Sequence, residues 1–162
     1  MSNSNNLEIE RKFLLKRVPR LLAKDVTPYE LMQIYVEIDG KINRFRRTEN
    51  LRNKEVSYIH CVKTKISDGV YEEIEKEINE WIFDRMVKRP HRFIVKRRTV
   101  YVDESLLKWE IDEYDGMSLI TLEVELDDIN QPINIPEKIE KEIIAEVTGK
   151  KEFSNYSLSE EG

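Results

Sequence analysis

Strand-length segments in this chain alternate charged and apolar residues with a period of two, and in most of them the charged parity carries one sign: basic at 44/46, 63/65 and 96/98, acidic at 73/75/77 and 123/125. The segment LEIERKFL (7–14) places Glu8, Glu10 and Lys12 on one parity and Leu7 and Ile9 on the other. The same parity then carries Arg44 and Arg46 in KINRFRRT (41–48), and Lys63 and Lys65 in EVSYIHCVKTK (55–65). It carries Glu73, Glu75 and Glu77 in VYEEIEKEI (70–78), and Lys96 and Arg98 in RFIVKRRTVYV (92–102). Finally it carries Lys108, Glu110 and Asp112 in LLKWEIDEY (106–114), and Glu123 and Glu125 in SLITLEVEL (118–126). With ELMQIYVEI (30–38) these make eight strands. Period two is the signature of an extended chain with two unlike faces. Arg47 and Arg97 interrupt the apolar parity of their strands.

A merely solvated face would mix its signs. Like charges on one face repel unless something of opposite sign lies between the strands. Basic strands therefore call for an anion and acidic strands for a cation, in a place the strands share. A closed barrel with its polar face inward supplies that place. The turns agree: Asp39-Gly40, Ser67-Asp68-Gly69, Asp103-Glu104 and Asp115-Gly116 separate consecutive segments and suit tight antiparallel connections. Helices are expected at 18–25, at 80–89, and in PEKIEKEIIAEVTG, where Pro136 opens and Gly149 closes the segment and Ile139, Ile143 and Ile144 would face inward. The fold class is mainly β with a few outer helices (α+β): an eight-stranded antiparallel closed barrel, or tunnel.

At 162 residues the chain fits one domain, 1–162, with residues 1–6 and about 155–162 compositionally loose. Its 27 basic and 32 acidic side chains nearly balance, which argues against a nucleic-acid binder. A single cysteine, Cys61, excludes an internal disulfide and fits a reducing, cytoplasmic setting, and the sequence holds no apolar run of membrane-spanning length. His60 and His91 read as structural, Cys61 as filler, and Trp81 and Trp109 as packing between barrel and helices.

The charged residues also suggest their guests. Guanidinium forks and ammonium groups suit phosphate oxygens. Paired carboxylates offer hard oxygen ligands suited to Mg²⁺ or Mn²⁺. No GxxxxGK[ST] stretch occurs, so a P-loop is excluded. The residues describe a polyphosphate with a divalent metal.

EIERK resembles the ExExK signature of the CYTH, or triphosphate tunnel metalloenzyme, superfamily. NRFRR is similar to its RxR strand, CVKTK to its lysine strand, EEIEKEI to its ExE strand and VKRR to its KxR strand. WEIDEY and LEVEL resemble its late acidic strands, and EVTGKKEFSNYSL its C-terminal segment. The resemblance implies a tunnel that binds a triphosphate and one or two divalent ions. Carried over by position, Glu8, Glu10, Glu123 and Glu125 would be metal ligands. Lys12, Arg44, Arg46, Lys63, Lys65, Lys96 and Arg98 would bind phosphate, with Lys63 and Lys65 competing for one role. Glu73, Glu75 and Asp112 would be lumen acids, with Glu77 an alternative to Glu75. Glu8, Glu10 and Lys12 would be catalytic. The implied activity is metal-dependent hydrolysis of inorganic triphosphate to orthophosphate. A class IV adenylyl cyclase, a thiamine triphosphatase and a non-catalytic polyphosphate or nucleotide binder are the alternatives. A homodimer through the outer apolar parity or a helix is left open.

Overall fold

The computed structural model describes residues 6–162, so the expected loose start over residues 1–5 lies outside the described residues. Eight antiparallel strands form the barrel: β1 (Leu7–Leu15), β2 (Val26–Ile38), β3 (Lys41–Asn50), β4 (Val56–Ser67), β5 (Val70–Glu77), β6 (Arg92–Val102), β7 (Lys108–Tyr114) and β8 (Ile120–Leu126). The order around the wall is β6-β2-β3-β4-β5-β1-β8-β7, and β7 pairs back onto β6, from Lys96 opposite Tyr114 to Val102 opposite Lys108. That last pairing removes the free edges of the sheet. Two short strands lie off the ring: β9 (Ile143–Glu146) on β1 and β10 (Glu160–Glu161) on β6. The helices are α1 (Glu80–Val87), α2 (Glu137–Glu140) and α3 (Asn155–Leu158), and none is long and apolar enough to cross a membrane.

The apolar core lies outside the barrel. Phe13, Leu15, Trp109, Ile111, Leu122, Val124 and Leu126 point outward from β1, β7 and β8, and are covered by Ile139 of α2 with Ile133, Ile135 and Ile143. A second cluster joins Ile34, Val36 and Phe45 of β2 and β3 to Phe83 of α1. Burying the outer parity in this way leaves the charged parity to the lumen. Trp109 is fully buried, and its indole N–H donates to Asp103 at 2.8 Å. Trp81 does not pack as expected: it is 58% exposed, because α1 turns Ile82, Phe83, Met86 and Val87 inward.

Two of the expected helices shrink. Residues 18–25 keep only a 3₁₀ turn at Ala23–Asp25, since Pro19 disfavours helical geometry at Val18. The segment after Pro136 forms one helical turn, α2, and then extends into β9, whose Ile143–Glu146 pairs with Leu15–Phe13 of β1. Consecutive β-branched residues fit that pleated edge better than a helix. A bulge at Ile144 leaves that side chain 63% exposed, so of the three isoleucines only Ile139 is fully buried. The tail read as loose, 155–162, is ordered as α3 and β10, with the Arg92 side chain donating to Ser159 Oγ at 3.0 Å.

Glycine is required where the tail crosses the β4–β5 turn. Gly69 has φ +78°, and a Cβ there would lie 2.6 Å from the carbonyl oxygen of Glu10 and 2.8 Å from Thr148. This close approach seats residues 147–149 against the barrel rim.

Candidate functional site: a charged tunnel

The lumen is a cavity of about 620 Å³, within the range of small-molecule sites. Every strand of the barrel lines it. β1 contributes Glu8, Glu10 and Lys12; β3 Arg44 and Arg46; β4 Lys63 and Lys65; β5 Glu73 and Glu75; β6 Lys96 and Arg98; and β8 Glu123 and Glu125. β7 adds Lys108 and Glu110. The alternation therefore delivers nearly all the expected residues to one space. Asp112 is the exception.

Asp112 is only 1% exposed and sits behind the lining. Its carboxylate accepts from Arg98 Nε at 2.8 Å and Nη2 at 2.9 Å, and lies 2.8 Å from Lys96 Nζ. It is a clamp for two cations and leaves no oxygen for a metal. Arg98 Nη1 also donates to Glu110 at 2.9 Å. Lys63 reaches inward, 2.7 Å from Glu8, whereas Lys65 donates to the carbonyl of Gly149 at 2.7 Å and pairs with Asp68 at the rim. Glu75 lines the cavity and approaches Arg44 at 3.5 Å; Glu77 does not line it.

The acids stand closer than a bare sheet tolerates. Glu10 is directly opposite Glu125, and Glu123 directly opposite Glu110. Like charges in such positions destabilise a sheet. Burial, then the neighbouring Glu123 carboxylate, pushes Glu10 up to about 9. Burial and the hydrogen bond to Glu8 push Glu73 up to about 9 too. Glu8 goes the other way: burial opposes ionisation, but the Glu73 hydrogen bond and the Lys63 ammonium carry it down to about 2. The three carboxyls thus share one negative charge near neutrality, with Lys63 beside it.

Two of the arginines are unsatisfied as well. The buried Nε atoms of Arg44 and Arg46 have no hydrogen-bond partner, and neither does Glu73 Oε2. Burial, then repulsion from Arg44 and Arg98, lowers Arg46 to about 10. Orphaned buried donors of this kind are costly unless a ligand supplies acceptors.

All-oxygen donors, crowded and partly protonated, fit a hard divalent cation. They are not gathered into a finished cage. Among the described residues, the trio of candidate ligand atoms within 4.8 Å of one another is Cys61, Glu73 and Glu75. No three of the acids at 8, 10, 123 and 125 bring ligand atoms that close together, and ammonium groups stand among them: Lys63 is 3.7 Å from Glu10 and Lys12 is 3.3 Å from Glu123.

Three features escaped the sequence reading. β2, which shows no sign-sorted face, lines the cavity with Gln33 and Tyr35. With Tyr71 and Tyr156 this makes three lining tyrosines. A strap, residues 147–156, also lines the cavity: Lys12 Nζ donates to the Phe153 carbonyl at 2.6 Å, and Lys96 Nζ to the Asn155 side chain at 3.2 Å. A signal existed for Tyr71, two residues before Glu73 on the same parity, but none for the carbonyl acceptors.

No family model and no curated protein sequence matches this chain. Solved structures do, and they define the class: antiparallel tunnel barrels of this architecture. One is described as the crystal structure of the inorganic triphosphatase NE1496, with TM-score 0.58 and 22% identity over 94% of this chain and 93% of that one. A second NE1496 structure, described as a hypothetical protein, has TM-score 0.56 and 22% identity over 94% and 96%. The PH1819 protein from Pyrococcus horikoshii OT3 has TM-score 0.54 and 18% identity over 83% and 82%. The chain shares their fold.

Proposed function

We propose that this chain is a CYTH-type, metal-dependent hydrolase of triphosphate compounds, acting on inorganic triphosphate and releasing orthophosphate inside the tunnel. One observation carries the reading: a lumen of buried arginines with unpartnered Nε donors faces crowded, partly protonated carboxylates. A polyanion with its counter-cation answers both needs at once. The shared fold with a structure described as an inorganic triphosphatase supports it.

Glu8, Glu10, Glu123 and Glu125 would hold the divalent ion, Mg²⁺ or Mn²⁺. When bound, that ion neutralises charge on the phosphate oxygens. Arg44, Arg46, Lys63, Lys96 and Arg98 hold the phosphate chain along its length and stabilise charge on the transferred group. Lys12, between Glu123 and the strap, completes the cationic set. Glu8 or Glu10 takes the proton of the attacking water, and the coupled Glu8/Glu10/Glu73 set keeps one carboxylate ready to accept it. Lys65 holds the strap at the rim rather than the phosphate chain.

The three tyrosines favour a second reading, in which the triphosphate carries an organic group, as in an adenylyl cyclase or thiamine triphosphatase. The test is to offer tripolyphosphate, ATP and thiamine triphosphate side by side with Mg²⁺ and Mn²⁺, scoring orthophosphate against pyrophosphate. Orthophosphate from tripolyphosphate is expected. Cyclic AMP with pyrophosphate would replace the hydrolase by a cyclase, and a Glu10→Gln variant with near-normal phosphate release would remove Glu10 from the water-activating role.

A further inference from the structure

We propose a second anion site on the outer wall of the barrel, taking a short oligophosphate. It is a cleft of about 360 Å³ between the chain leaving β1 and the end of α2, lined by Lys16, Arg17, Arg20, Lys141 and Glu142. None of these residues lines the tunnel. Four cations surround one carboxylate, an excess of three positive charges on a chain whose net charge is -5.

Glu142 does not use those cations up. Its side chain is 7% exposed and its main chain is held on both sides: Lys16 N–H donates to the Glu142 carbonyl at 2.9 Å, and Glu142 N–H to the Ile139 carbonyl at 3.0 Å. Lys16 Nζ stands 3.9 Å and Arg17 Nε 3.6 Å from its oxygens, too far for hydrogen bonds. Among the described residues, Arg20 and Lys141 have no carboxylate partner at all. The buried acid thus gathers the cations over a rigid floor while their donors stay open. Two guanidinium forks and two ammonium groups suit phosphate oxygens, which accept several donors at once, better than a single carboxylate. The excess charge matches pyrophosphate or a tripolyphosphate end. The choice of phosphate over another polyanion rests on the triphosphate reading of the tunnel; the cleft itself does not.

The probe is tripolyphosphate in metal-depleted buffer, where turnover is absent, titrated by calorimetry into three forms of the full chain. Wild type should show two sites. An Arg44→Ala/Arg46→Ala tunnel variant should keep one, weakened at least about tenfold between about 50 and 300 mM NaCl. An Arg17→Ala/Arg20→Ala variant, altered only at exposed side chains, should lose that salt-sensitive site and keep the tunnel site. One wild-type site that survives the cleft substitutions would overturn the proposal. One wild-type site lost only on cleft substitution would support the cleft while removing the tunnel reading. Vesicles of phosphoinositide in phosphatidylcholine supply the same headgroup chemistry from a membrane. If they sediment the wild type and free tripolyphosphate does not compete, the free-ligand site is refuted.

Discussion

Replacing Asp112 by alanine leaves Lys96 and Arg98 buried and without their clamp. Lys96 is 1% exposed, and three contacts of 2.8–2.9 Å converge on the carboxylate. Removing one partner of a buried ion network costs about 3–5 kcal/mol, because the remaining charges lose compensation without regaining water. In a domain of this size about 1 kcal/mol moves the midpoint by roughly 2–4 °C, so Asp112→Ala should unfold roughly 6–20 °C below wild type. The carboxylate is held well below its usual range: burial opposes ionisation, but Arg98 and Lys96 overcome it. A depressed acid contributes stability above its unfolded value of about 3.9, lost as pH falls through the folded value. The difference between variant and wild type should therefore be full at pH 7 and shrink only in strong acid. Thermal and urea unfolding across that range measure it. A double replacement, Asp112→Ala with Lys96→Met, should recover part of the loss. An Asp112→Ala protein within about 1 kcal/mol of wild type at pH 7 would refute the clamp.

Two further outcomes follow from the tunnel's ionisation. Glu10 and Glu73, each near 9, retain protons at pH 7, so adding Mg²⁺ should release protons, readable by calorimetry in buffers of different ionisation enthalpy; heat independent of buffer would contradict this. Burial draws Lys96 down to about 8 against the pull of Asp112, and only its protonated form holds phosphate. The kcat/KM for tripolyphosphate should therefore fall as pH rises through about 8, and Lys96→Arg should flatten that limb; an unchanged limb would assign it to another group.

The barrel was legible because seven of its eight strands put charged side chains at alternate positions, a pattern that survives without any long-range information. Lys12, Arg44 and Glu123 meet because parity fixes which way each side chain points. Depth was not legible: Asp112 has the parity of a lumen residue yet lies beneath Lys96 and Arg98. β2 was read as a strand but not as a wall of the site, since Gln33 and Tyr35 carry no charge to sort. β9 was misread because Pro136 and Gly149 frame it like a helix, and its pairing with β1 is decided by Phe13–Leu15, far away in sequence. The strap offers Lys12 a main-chain carbonyl at Phe153, a group every residue has.

β1 finds its neighbours at Val70–Glu72, at Thr121–Leu126 and at Ile143–Glu146. A nascent chain emerging from the ribosome therefore holds one edge of β1 open from the arrival of β5 until residues 121–126 have been made. The ring has no half-built form with a sealed wall, so fragments cut short of β8 should be prey for proteases and chaperones rather than partial enzymes.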